Sequence, residues 1–135
     1  MTLLDCDVEE PNAHLFIKCA SEGEPEEVSI LVPEVDEARC DGCGECARFC
    51  EYKALAVLAK RVLVFPELCH GCGGCARVCP QGAISEKPKR VGVVMSARSG
   101  DVTLVQGRLD VGVAMAPPLI RAVKAKIPAK GDAIL

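Results

Sequence analysis

Cys40-Asp41-Gly42-Cys43-Gly44-Glu45-Cys46-Ala47-Arg48-Phe49-Cys50 is answered 29 positions on by Cys69-His70-Gly71-Cys72-Gly73-Gly74-Cys75-Ala76-Arg77-Val78-Cys79, which runs into Pro80. Residues beside the cysteines repeat too: Gly42, Gly44, Ala47, Arg48 and Ala54 recur as Gly71, Gly73, Ala76, Arg77 and Ala83. Nine of the sixteen aligned positions are identical, which marks a duplication. In each half a β-like run (Val28 to Asp36, then Arg61 to Phe65) leads into the cysteine-rich loop. A helical turn through Ala47-Arg48-Phe49 or Ala76-Arg77-Val78 follows, and then another short strand. Leu55 to Leu58 and Val62 to Phe65 read as a hairpin around Ala59-Lys60. The duplication therefore predicts a pseudo-two-fold α+β unit from Pro33 to Lys87.

Working outward, composition narrows the chemistry. Ten of the 135 residues are cysteine, while only Phe16, Phe49, Phe65 and Tyr52 are aromatic and none is Trp. A core of large rings is not available, and small side chains must pack around something else. The net charge of −3 and pI near 5.4 argue against a phosphate-backbone binder, so no nucleic acid partner is expected. The longest apolar stretch, Val111 to Ile120, carries two prolines and falls short of the about 18 residues of a membrane span. Met1 to Glu10 has no basic region and does not read as a secretory signal. The expectation is a cytoplasmic protein, where ten cysteines point to metal sites rather than disulfides.

The two cysteine runs, C-x2-C-x2-C-x3-C twice over, resemble the ligand spacing of bacterial two-cluster ferredoxins, and the likeness covers residues 33 to 87. It implies a two-[4Fe-4S] unit in which the fourth cysteine of each run serves the other cluster. Cluster I then takes Cys40, Cys43, Cys46 and Cys79; cluster II takes Cys69, Cys72, Cys75 and Cys50. Gly42, Gly44, Gly71, Gly73 and Gly74 are expected at positive φ, bringing backbone N–H groups to the sulfurs. The competing metal is zinc. Structural zinc closes one tetrahedron, for which a third evenly spaced cysteine followed by x3-Cys is surplus.

The two copies differ where tuning would act. Cys79 precedes Pro80, but Cys50 precedes Glu51, which keeps an N–H and adds a carboxylate; Asp41 stands where the second copy has His70. Either these are solvent-facing loop residues, or they separate the cluster potentials and make cluster II pH-sensitive through His70. Arg48 and Arg77 read as solvated helix positions, with docking as the alternative. Cys6 and Cys19 have no partner at ligand spacing and read as structural thiols; His14 reads as an ordinary residue.

The flanks carry a second resemblance. Thr2-Leu3-Leu4 reads as a strand opening onto Asp5-Cys6-Asp7, and Glu22 to Glu27 as an acidic connector. Val91 to Ser96 and Val102 to Gln106 read as a hairpin around Ser99-Gly100-Asp101. Leu119 to Ile127 reads as a helix with Pro117-Pro118 near its start, and Ala133-Ile134-Leu135 as the start of a buried strand. Neither flank by itself supplies a core. Leu3 to Phe16, Val105 to Gly112 and Ala114 to Arg121 resemble the MinD superfamily of P-loop ATPases, with the ferredoxin unit as an insertion. The organisation expected is a partial ATPase flank at 1–32, the ferredoxin domain at 33–87 and a second partial flank at 88–135. In that family Asp5 and Asp7 would inherit the Mg-organising switch role. No G-x-x-x-x-G-K-[ST] occurs in the sequence, so this chain has no ATP-hydrolysing machinery of its own and reads as an internal fragment or truncated product.

The reading that follows is an electron-transfer module rather than an enzyme, with two [4Fe-4S] clusters as cofactors and ATP/Mg only in an intact parent. Its expected partners are redox proteins, the remainder of the ATPase, and a second copy in an intact homodimer. Two alternatives stand beside it: a cluster carrier or assembly scaffold, and a structural Fe–S module without redox turnover.

Overall fold

The computed structural model describes residues 1–19 and 21–135. In chain order the elements are β1 (Thr2–Asp5), a 3-10 turn at Ala13–Leu15, β2 (Ser21–Glu22), β3 (Glu26–Val35), α1 (Glu45–Phe49), β4 (Leu55–Leu58) and β5 (Arg61–Val64). They continue with α2 (Gly74–Val78), β6 (Ile84–Ser99), β7 (Val102–Leu109), α3 (Ala116–Lys124) and β8 (Ala133–Ile134). The chain divides into two compact units. One is Ile30–Lys89; the other joins Met1–Ser29 to Arg90–Leu135.

In the Ile30–Lys89 unit the two repeats exchange backbone hydrogen bonds. Asp36 N–H donates to Ala83 O at 2.8 Å, and Phe65 N–H donates to Ala54 O at the same distance. These four residues are the same two repeat positions taken twice, so each copy is closed by the other. α1 packs against α2. β4 and β5 form an antiparallel hairpin with Leu55 opposite Val64 and Leu58 opposite Arg61. Its two-residue turn places Ala59 and Lys60 at φ 49° and 65°. Such a turn matches the twist of the strands but normally recruits Asn-Gly. Val32, Ala54, Leu55, Ala83 and Ile84 are buried together with Cys46, Cys69 and Cys75, so apolar side chains supply only part of this interior.

The second unit is built on a sheet ordered β2-β6-β7-β1-β8, with β3 also paired to β6. β6 and β7 are antiparallel, whereas β1 runs parallel to both β7 and β8. α3 lies in the connection from β7 to β8, which run parallel on either side of β1, and such a connection must cross over the sheet. Val91 to Val94 and Leu104-Val105 are continuous buried runs, as expected of strands covered on both faces. Leu4, Val8, Val94, Val105, Leu119 and Val123 form one core cluster drawn from both flanks.

Several local expectations are corrected. α3 spans Ala116–Lys124, not Leu119 to Ile127. Pro117 and Pro118 are accommodated inside its first turn, where no N–H is needed, and Pro128 disfavours helical backbone at Ile127. The Val91–Ser96 strand is part of a continuous strand starting at Ile84. The Glu22 to Glu27 connector instead gives its ends to β2 and β3. Ala133-Ile134 is a strand, but an exposed one, with Ile134 49% accessible. No helix among the described residues is long and apolar enough to cross a membrane.

Candidate metal centres

Each cysteine run folds as a loop that tightens into one short helix. Gly44 and Gly73 cap α1 and α2 in left-handed backbone, at φ 80° and 71°. The third cysteine of each run, Cys46 or Cys75, then enters the helix and is buried. The fourth leaves it in extended backbone: Cys50 has φ −72°, ψ 106° and Cys79 φ −73°, ψ 111°. This exit carries each fourth cysteine to the other repeat's loop. Cys40, Cys43, Cys46 and Cys79 line one cavity, and Cys50, Cys69, Cys72 and Cys75 line a second.

The sulfurs are met by backbone donors. Ala54 N–H approaches Cys50 Sγ at 3.4 Å and Ala83 N–H approaches Cys79 Sγ at 3.3 Å. These two alanines occupy the same repeat position and both are buried. Gly71 N–H adds a contact to Cys69 Sγ at 3.4 Å. As free groups the inner thiols resist ionisation. Burial pushes Cys46 up, with Cys79 and Cys40 adding to it, and burial pushes Cys75 up beside Cys69 and Cys72. A coordinated metal reverses that balance, because coordination deprotonates the thiol.

Gly42 and Gly71 also take positive φ, 73° and 68°. Gly74 does not, which corrects the expectation. It is the first residue of α2, and a Cβ there would stand 2.1 Å from Phe49 Cε1. The Phe49 ring of the first repeat lies on this position, so any side chain here would have to displace it.

The remaining candidates sort by position. Asp41 Oδ1 accepts the Cys43 N–H at 3.0 Å, and Asp41 Oδ2 accepts from Gln81 Nε2 at 3.1 Å. The Cys43 N–H chiefly holds this carboxyl below its usual range. His70 is stacked on Tyr52, with ring centroids 3.5 Å apart and planes 11° from parallel. Glu51, Tyr52 and His70 all line the second cavity. Arg48 is tied to Glu45 at 2.5 Å and to Cys43 O at 3.0 Å; Arg77 lacks this carboxylate because its repeat has Gly74 in place of Glu45. Asp5 accepts backbone N–H groups from Asp7, Asn12 and Ala13, and Asp7 accepts from Glu10. Cys6 packs against the core of the second unit, Cys19 lines a surface cavity there with His14, and both are free thiols.

Among the described residues, no three His, Cys, Asp or Glu side chains are grouped closely enough to hold a single ion; the cysteine quartets surround cavities instead. Residues 33–85 match the family model of a 4Fe-4S dicluster domain. The match supports a ferredoxin-like iron–sulfur domain in that segment, and the dicluster description agrees with two thiol quartets. No curated protein matches the chain.

Proposed function

We propose that the chain carries electrons on two [4Fe-4S] clusters, one held by Cys40, Cys43, Cys46 and Cys79 and the other by Cys69, Cys72, Cys75 and Cys50. The observation that carries this reading is the cross-repeat lining: each cavity draws three thiols from one copy and the fourth from the other. Zinc requires four ligands about one centre, and among the described residues no three of these thiols are gathered about a single point. Bound clusters supply reversible one-electron chemistry. The protein's part is to hold and bias them. The thiols fix their place, Ala54 and Ala83 direct N–H groups at the sulfurs, and burial lowers the local dielectric. N–H groups facing the sulfurs favour the reduced state, which carries one more negative charge.

For the second unit we propose descent from the MinD superfamily ATPase fold, on the residue resemblance and the parallel β7-β1-β8 order with α3 as crossover. In that setting nucleotide state would gate electron transfer. The Asp5 carboxylate would first have to give up its three backbone N–H groups to take part at magnesium.

Anaerobic reconstitution with iron and sulfide tests the cluster reading. It should yield roughly eight iron atoms per chain and an EPR signal on reduction with dithionite. C79A should empty one site and C50A the other. Loss of both clusters to an apo-protein acceptor would favour the carrier alternative, and clusters that never accept an electron would favour the structural one.

A further inference from the structure

The internal repeat reveals a relation that identity alone conceals. Displaced by the repeat length, Asp41 corresponds to His70, and Gln81 corresponds to Tyr52. Asp41 and Gln81 are joined by a hydrogen bond, and His70 and Tyr52 by ring stacking. Each pair takes one residue from each repeat, and each lies at the rim of one cysteine-lined cavity. The duplication thus places the same cross-repeat pair at both centres, with opposite chemistry. One rim is an anionic carboxylate fixed by an amide, and the other is aromatic.

We propose that this rim pair sets the two centres apart in reduction potential: Asp41–Gln81 lowers the potential of the Cys40/Cys43/Cys46/Cys79 centre relative to what a Tyr52–His70 pair gives. The proposal rests on the cluster-binding reading above. Loading one electron adds one negative charge at a centre, with no bond made or broken, and dithionite is the reductant. A carboxylate fixed at the rim opposes that charge. An imidazole stacked on a phenol carries no negative charge in either protonation state. Backbone donors work in the same direction. Gly71 N–H meets Cys69 Sγ at the second centre, whereas among the described residues its counterpart Gly42 makes no such contact to Cys40, and donors to sulfur raise the potential. Other charges also line the cavities: Glu45, paired with Arg48, at the first, and Arg48, Glu51 and Glu86 at the second. For that reason the rim is tested by exchange within the protein rather than by comparing the two centres directly.

The reconstituted full chain is titrated under EPR as wild type, D41N, D41H/Q81Y and Y52Q/H70D. Asparagine can still accept the Cys43 N–H while removing the charge. The expected result is that D41N and D41H/Q81Y each raise one midpoint, the same one, and that Y52Q/H70D lowers the other. Midpoints that stay in place, or move together, overturn the proposal. So does the loss of half the iron in D41N, because the pair would then be a structural clasp. A wild-type chain that binds no clusters would instead defeat the underlying reading of function.

Discussion

At the residue scale the shared geometry of the two copies separates positions that need glycine from positions that merely have it. Gly42 and Gly82 both sit at positive φ, 73° and 55°. A Cβ at Gly82 would meet nothing nearer than Arg39 at 3.7 Å, but at Gly42 it would strike the Lys60 carbonyl at 2.6 Å. G82A should therefore cost about 1 kcal/mol, the left-handed backbone penalty alone. G42A should cost at least roughly 2 kcal/mol, because the clash is with backbone that cannot rotate away. Anaerobic denaturant unfolding checks both, and equal losses would refute the distinction. The first copy already tolerates a side chain at the Gly82 position, since its counterpart Lys53 holds φ 54°. The eight candidate thiols stand out by their spacing in the sequence, whereas the reason for Gly74 does not. It depends on a ring in the other repeat, brought in by helix packing.

At the element scale, hydrophobic runs located nearly every strand, and the errors fell at ends. Leu55 to Leu58 and the turn at Ala59-Lys60 were legible because a continuous apolar run is interrupted there by Lys60 and Arg61 before Val62 resumes it. The turn's conformation was not, because neither residue favours positive φ. Giving the turn the Asn-Gly pair that its backbone prefers, as A59N/K60G, should stabilise the iron-loaded protein by about 1 kcal/mol. The denaturation midpoint should rise with iron content unchanged, and a fall would mean that Lys60 contributes contacts beyond its backbone. The exposure of Ala133-Ile134 eluded the sequence for a different reason. Its pattern is apolar, but burial of a strand is fixed by what covers it.

For the whole molecule, the two units differ in what holds them. Leu4, Val8, Val94, Val105, Leu119 and Val123 give the β-sheet unit an apolar core of its own. In Ile30–Lys89 much of the interior is cysteine, so the clusters proposed for it would couple their binding to its folding. Chelating the iron should strip hydrogen-exchange protection from Ile30–Lys89 while leaving it in β7 and α3. Uniform loss across both units would contradict this division. The sequence by itself determined the duplication, the eight cysteines and the class of cofactor, because thiol spacing along a loop is a local property set by bond geometry. Only the tertiary structure gathered the two flanks into one sheet, set Phe49 on Gly74, and paired Asp41 with Gln81 and Tyr52 with His70. Those contacts join residues far apart in the chain, where the two copies no longer match, and only packing brings them together.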